Sequence, residues 1–508
     1  MRKKGGILYH MYKTLSFDTK LAPEYHGMVS LPKLSALFAG CGDFQMRRVA
    51  FGLEPALVVT ACWIDGLVSG ERVTEDILRP LTQASRSGEA GSDPAMIEQI
   101  LRGAVYRYAV QARTTLGEAA DDLTHGCCVL LFDHAATALS FEVRCENTRS
   151  IAQPTLEKSL KGAKDSFVEA LRTNTALVRQ RICSPQLKLS ERGLGRRSHT
   201  RVAILYMEGI VSPGIVEALN RRLDHLDVDA VLATGALEEG IVDMPLSPFP
   251  QLLHTERPDR LAQYLLEGRV GLLVDGIPIA LVLPVSLAEF MKVSGDASVH
   301  YTAATALTLL RWAALLLSLL TPAVYVAVAK FHPEMIPTRL LLSIIESEQK
   351  VPFSAELEVL GMLFAFGLLQ EAGLRLPNPV GDTVSIIGAL IVGQAAVEAR
   401  LVSPISIIVV AISGISCYAL PSQDLAHAIR LCRLALLFAA IAAGLYGVCL
   451  GCCLLILHLS ELESFGLNYT APLSQCEHGL SRLLLRIPKR WDQYRDPLLR
   501  TPDRRRQG

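Results

Sequence analysis

Gly126 to Asp133 reads GCCVLLFD and Gly268 to Asp275 reads GRVGLLVD, and each is followed at the same internal offset by Ala-Leu, as Ala138-Leu139 and Ala280-Leu281. A short apolar run closed by Asp and followed by a second apolar run reads as a strand hairpin. The two copies start 142 residues apart (268 − 126). A second echo has nearly the same spacing: Ile64-Asp65-Gly66-Leu67-Val68-Ser69 and Met207-Glu208-Gly209-Ile210-Val211-Ser212 each follow a strand-like run and lead into a helical pattern. Ordered echoes at one spacing predict a duplication. The acidic-Gly pairs suit metal binding or turn geometry, and turn geometry is the simpler reading.

Outward from the hairpins, Arg113 to Asp122 and Lys158 to Gln180 have helical propensity, and Ile151 to Pro185 reads as a joint between the two units. From Tyr301 the solvent changes, because long apolar runs begin that a globular surface does not accommodate. Trp312 to Ala329 and Leu434 to Leu457 each match the length that a hydrocarbon core of about 30 Å demands. Between them lie Val359 to Leu369, Val384 to Val397 and Val402 to Leu420, of which only the last is long enough to cross alone. Short segments at membrane depth need shielding by protein or a water-filled cavity, which implies an oligomer or a cavity.

The expected fold class is therefore α/β plus an α-helical membrane domain: two duplicated α/β soluble subdomains followed by a multi-span helical transmembrane domain. The expected divisions are an N-terminal extension (1–42), subdomain 1 (43–150), a helical linker (151–185), subdomain 2 (186–300), a transmembrane domain of four to six segments (301–458) and a basic tail (459–508). Ser481 to Gly508 holds nine Arg or Lys against three Asp, which places the tail on the cytoplasmic side. Arg2, Lys3 and Lys4 are not followed by an apolar run, so no cleavable leader is expected and the soluble half lies on that side too. An even number of crossings follows, four being expected, with one apolar run dipping in.

Composition excludes several function classes. Among the 508 residues, 50 Lys and Arg balance 50 Asp and Glu, so no basic field invites nucleic acid. The twelve cysteines lack zinc spacing and read as reduced, buried thiols. No phosphate-binding glycine loop, nucleophile elbow or His-Glu-x-x-His occurs, so no catalytic residue, cofactor or metal is expected.

Several motifs in one order resemble the GerA family of spore germination proteins. They include Lys161 to Glu169 (KGAKDSFVE), Leu171 to Asn174 (LRTN), Leu237-Glu238-Glu239, Ser247 to Gln251 (SPFPQ), Thr255 to Asp259 (TERPD) and Leu266 to Val270 (LEGRV). The membrane half adds Phe331 to Thr338 (FHPEMIPT), Gly381 to Ser385 (GDTVS), Val392 to Glu398 (VGQAAVE) and Leu401 to Pro404 (LVSP). Ala163 stands where the family pattern more often has Pro, and Arg400 where it more often has Gly. The Phe-Pro-Gln and Glu-Met-Ile-Pro-Thr versions resemble germinant-receptor A-type subunits more than the SpoVAF-type paralogue.

The resemblance implies a multi-pass protein of the spore inner membrane, its soluble domains facing the cytoplasm or spore core. It works there with a transporter-like B subunit, to which nutrient sensing is attributed, and a lipoprotein C subunit. The A-type subunit is expected to form a homo-oligomeric, ligand-gated channel for monovalent cations. The alternatives are a cytoplasmic scaffold that assembles the receptor, or a SpoVAF-like auxiliary channel.

Ionisable groups in apolar runs usually face protein or water. Gln394 and Glu398 share a helix face, with Ser385 and Gly388 on the same segment, and a ring of such faces makes a cation-favouring path. Glu356 and Glu358 precede an apolar run and mark either its membrane edge or a pore mouth. These six are the candidate pore or gating residues. Glu398 beside Arg400 also fits a solvated membrane boundary, and Arg311 is expected to snorkel. Gly444, Gly447 and Gly451 read as packing positions. Glu256, Arg257 and Asp259 are candidate interdomain or subunit contacts, the structural reading being a salt-bridge corner and the functional one a ligand clamp.

Overall fold

The computed structural model describes residues 25, 27–51, 57–86, 92–105, 107–145, 153–154, 157, 161–375, 394–473, 483–486, 488 and 490–506. Two compact units form: one takes the chain up to Ile151 together with Phe167–Arg192 and Arg201–Glu208, and the other takes the remaining segments.

The first unit holds strands β1 (Phe44–Phe51), β2 (Leu57–Ile64), β3 (Val110–Arg113), β4 (Cys127–Phe132) and β5 (Ala138–Glu142), in the sheet order β1-β2-β4-β5-β3. Side chains alternate across a strand, and here both faces are covered. Val59, Ala61, Trp63, Cys128, Leu130 and Phe132 enter one apolar cluster, while Cys62, Ile64, Val129 and Leu131 enter another. That is why β2 and β4 read as continuous apolar runs. Helix α1 (Leu116–Thr124) starts later than expected, since Arg113 belongs to β3. The Thr115 hydroxyl accepts from the Glu118 N–H, and the Glu118 carboxylate accepts from the Thr115 N–H, which fixes the helix start.

Helix α2 (Leu171–Arg181) likewise occupies only the end of the helical stretch expected over Lys158 to Gln180. The Asn174 amide takes both backbone groups of Val168, accepting from its N–H at 2.8 Å and donating to its carbonyl at 2.5 Å. A side chain that occupies these groups holds the chain extended before the helix. From α2, Arg179 makes a two-pronged ion pair with Asp43 at 2.7 and 2.9 Å, with both side chains only 1% exposed.

Strands β6 (Leu187–Leu194) and β7 (Thr200–Met207) follow α2 in the chain; in the second unit, β8 (Leu253–Thr255), β9 (Val270–Val274) and β10 (Ala280–Leu283) repeat the β3, β4, β5 arrangement. The register repeats as well. Leu130 faces Leu139 and Leu272 faces Leu281, while Arg113 faces Ala138 and Thr255 faces Ala280, every position being shifted by 142 (272 − 130, 255 − 113). Helix α3 (Thr234–Ile241) precedes this sheet, and α4 (Pro258–Glu267) follows β8 and ends on Gly268 at φ 97°. The acidic-Gly turns also match, with Gly66 at φ 92° and Gly209 at φ 79°, a region open to Gly at little cost.

The helical part of this unit comprises α5 (Tyr301–Phe331), α6 (Thr338–Glu348), α7 (Ala355–Arg375), α8 (Pro404–Tyr418) and α9 (Gln423–Glu461). Two of the described helices, α5 and α9, are long and apolar enough to cross a membrane. The apolar run Val359 to Leu369 sits inside the 21 residues of α7, about 31 Å long, whereas α8 has 15 residues and is about 22 Å long. As a helix, α7 is therefore longer than the apolar run inside it, and α8 is shorter than its apolar run. Gln370 and Glu371 are good helix formers and extend α7, while Pro404 and Pro421 bracket α8.

Helix α9 departs most from expectation, because Leu434 to Leu457 is not one rod. Ala443 (φ −136°, ψ 16°) and Gly444 (φ 60°, ψ −142°) break the helix, and the two arms fold back on each other. A Cβ at Gly447 would lie 2.1 Å from the Ala439 carbonyl oxygen, so the arms touch through glycine. The chain after α9 packs on the second unit: the Ser464 hydroxyl donates to the Gln251 carbonyl at 3.1 Å and accepts from the Val285 N–H at 3.2 Å. The basic tail is docked as well, Arg495 donating to the Leu266 carbonyl at 3.0 Å. The described cysteines form no disulfide; Cys183, Cys449 and Cys453 are exposed rather than buried, because the last two lie on the outer face of the second α9 arm.

Candidate functional site

Both ends of the α9 hairpin are held by one short segment of the α/β part. Asp424 and His458 are 34 residues apart (458 − 424), which a straight helix would separate by about 51 Å. Instead Asp424 bonds His254 and His458 bonds Ser247, at 2.8 and 2.9 Å. The second ring nitrogen of His254 meets Glu238 on α3, also at 2.8 Å. Burial opposes a charged imidazole, but the hydrogen bonds from Asp424 and Glu238 outweigh it and raise the His254 pKa from 6.5 to about 10. Glu238 is held below its ordinary value: burial pushes it up, and the bond to His254 more than reverses that. At neutral pH the anchor is therefore a cation between two anions. At the opposite end of the hairpin, Gly444 lies against the Phe331 ring, where a Cβ would come within 2.9 Å.

The anchors and contacts fix the helix directions. Phe331 ends α5 at the far end from the anchors, and there Lys330 pairs with Glu356 at the start of α7, at 3.0 Å. Glu358, two residues on, is buried, and one of its oxygens accepts from the Ser403 N–H at 2.8 Å, just before α8. So α7 and α8 start from the same end. Farther along, Ser413 of α8 donates to the Ser318 carbonyl of α5 at 2.8 Å and accepts from Arg433 of α9 at 2.9 Å. Arg433 is buried, and no carboxylate pairs with it among the described residues. Nor does Arg311 snorkel as expected: Asp296, beside the start of α5, takes its guanidinium at 2.6 and 2.8 Å.

Of the candidate pore residues, Glu356 and Glu358 come together at this far end, and Gln394 and Glu398 are exposed on a short helical turn. Ser385 and Gly388 lie outside the described residues. Arg400, where glycine is the commoner family residue, has φ 54°, a left-handed conformation that glycine adopts more easily.

Glu256, Arg257 and Asp259 form a corner within the second unit. Arg257 pairs with Asp259 at 2.8 Å and donates to the carbonyls of Glu157 and Ala163, at 3.3 and 3.1 Å, while Glu256 accepts from the Glu157 N–H at 2.7 Å. Thr255 donates to the Glu157 carboxylate at 2.7 Å, and Arg260 pairs with it too, so the TERPD motif grips the linker. Among the described residues no cluster of three His, Cys, Asp or Glu is placed to hold a metal.

The sequence reading missed His254, Asp424, His458, Tyr325, Ser403 and Ser406. The signal available was weak: a His beside the TERPD motif, and serines at 403, 406 and 413 on an otherwise apolar segment.

The family model described as Bacillus/Clostridium GerA spore germination protein matches residues 32–498. The chain belongs to the GerA family. Among GerA relatives, spore germination protein KA of Bacillus subtilis is 35% identical over 467 residues, covering 92% of this chain and 85% of that protein. The uncharacterized membrane protein YfkQ of Bacillus subtilis is 35% identical, covering 93% and 88%. Spore germination protein GerLA of Bacillus cereus is 33% identical, covering 91% and 93%. The crystal structure of the N-terminal domain of the A subunit of the Bacillus megaterium spore germinant receptor GerK3 is similar at 26% identity and a TM-score of 0.41, covering 51% of this chain and 97% of that domain.

Proposed function

We propose that this chain is the A-type subunit of a nutrient receptor in the spore inner membrane, and that several copies form a ligand-gated channel for monovalent cations. It acts as a conducting subunit rather than an enzyme, beside a transporter-like B subunit and a lipoprotein C subunit. The observation that carries the reading is the α9 hairpin, whose two feet are gripped by the α/β part through His254 and Ser247. Movement of the α/β part on nutrient binding reaches both arms at once and pivots at Gly444.

Five helical passes are supplied by α5, α7, α8 and the two arms of α9. Both α7 and α8 start from the same end, and we take the total number of crossings to be even. An even count keeps the tail and the soluble half on one side, the cytoplasmic or core side that the basic tail favours. The matching registers at an offset of 142 support a duplicated pair of α/β units.

The test is flux. Vesicles holding this chain with its B and C partners should release potassium or sodium when germinant is added. Release that persists when this chain is replaced by its isolated soluble half would assign it to a scaffold, with conduction left to the partners.

A further inference from the structure

We propose that Glu358, Glu348, Tyr325, Ser403 and Ser406 form a binding site for one dehydrated alkali cation. The existence of the site stands on its own geometry, and its use in conduction rests on the channel reading above.

Glu358 is 3% exposed, and while one carboxylate oxygen takes the Ser403 N–H at 2.8 Å, Oε1 is sealed from solvent without a hydrogen-bond partner. Two more oxygens share that condition, Oε1 of Glu348 and the Tyr325 hydroxyl. The Tyr325 side chain packs against the apolar cluster that includes Val359, the neighbour of Glu358, and its hydroxyl lies within electrostatic range of both carboxylates. Ser403 donates to the Ser406 hydroxyl at 2.9 Å, which orients that pair. Ser403 and Ser406 are 1% and 0% exposed. The orphaned oxygens come from α5, α6 and α7, and the serines from the start of α8.

Among the described residues no cation answers this charge. Lys330 is engaged by Glu356 at 3.0 Å, and among the described residues no Lys, Arg or His pairs with Glu358 or Glu348. A buried charge left without a counter-charge is strongly disfavoured, and each unfilled oxygen adds to the cost. An oxygen-coordinated cation removes both penalties. Hydroxyl and carboxylate oxygens select hard cations over the transition metals that favour nitrogen and sulfur, and these five side chains are fewer than the six to eight oxygens that calcium takes.

The experiment uses the full chain purified in detergent in choline chloride, with melting temperature followed as choline is replaced by potassium, rubidium or sodium at constant ionic strength. Potassium or sodium should raise the melting temperature saturably. Glu358→Gln should abolish the rise, Tyr325→Phe should weaken apparent affinity about tenfold, the loss of one ligand, and Glu346→Gln, at an exposed carboxylate paired with Lys350, should leave it unchanged. Should Glu358→Gln not fold, Tyr325→Phe and Ser406→Ala decide alone. The proposal is overturned if the wild-type chain shows no cation-specific rise, if the variants that fold retain it in full, or if calcium saturates the effect at lower concentration than potassium. Flux on the same preparation separates the two claims: binding without flux keeps the site and removes the channel, and flux with no binding does the reverse.

Discussion

The α/β part and the helical part treat buried charge in opposite ways. In the first, Arg179 meets Asp43 at 2.7 Å, Arg257 meets Asp259 at 2.8 Å and Arg269 meets Glu289 at 2.9 Å. In the second, Glu358 and Arg433 are equally buried, yet neither meets an opposite charge among the described residues. Breaking a buried pair leaves an uncompensated charge and is strongly destabilising, so the closed pairs tie the α/β part together, whereas Glu358 and Arg433 carry that cost with no opposite charge among the described residues.

The contrast can be broken by mutation, and the largest effect is expected at the closed pair. Asp43→Ala strands Arg179 in the core and should cost about 3–5 kcal/mol, seen as a lower thermal midpoint of the full chain in detergent. Asp43→Asn with Arg179→Met should recover much of that loss. A midpoint for Asp43→Ala equal to wild type would remove the difference between the two parts.

Next is the hairpin. Gly444 has a backbone conformation that a side chain adopts only under strain, and Phe331 blocks the space, so Gly444→Ala should lose about 1–3 kcal/mol. A cysteine pair at Asp424 and His458 linked by a short bridging reagent through the anchor region would sharpen the point. Two separated ends of one straight helix could not be joined that way.

The anchor comes third. His254 has its pKa raised from 6.5 to about 10, so its contribution is fully present below pH 6.5 and is lost as pH rises through about 10. Glu238, lowered from 4.5, contributes above that value and loses its contribution as pH falls. The melting-temperature difference between wild type and His254→Gln should therefore be largest near pH 5 to 6 and vanish at strongly alkaline pH. Charged hydrogen bonds of this kind contribute about 1.5–3 kcal/mol. A difference that grows with pH would contradict the charged anchor.

The smallest effects on stability belong to the exposed candidates. Glu398→Ala and Gln394→Leu should shift stability by less than about 0.5 kcal/mol, yet alter ion release if that face lines the path. Arg400→Gly should be neutral or add up to about 1 kcal/mol, since it relieves a left-handed φ. Unchanged release from both Glu398→Ala and Gln394→Leu would move the conducting path to the Glu358 end.

Much of the α/β part was legible in the sequence. The GCCVLLFD and GRVGLLVD stretches gave both hairpins, because a strand pair written with local turn chemistry needs nothing distant to be read. The candidate site was legible only at Glu356 and Glu358, which stood out as charges beside an apolar run. His254 and Asp424, 170 positions apart, carry no mutual signal in one sequence. The hairpin escaped too, since a hydropathy window averages over about 19 residues and one glycine barely moves the mean.

By itself the sequence determined the α/β class, the repeated hairpin, the onset of the apolar half at Tyr301 and the GerA resemblance. All of these rest on periodicity, composition or motif order along a few neighbouring residues. Tertiary structure alone decided that α9 turns back at Gly444, that its feet meet His254 and Ser247, and that Glu358 meets no counter-charge among the described residues. Those are facts about which distant groups come within bonding range in a low-dielectric interior, and distance in the chain does not encode them.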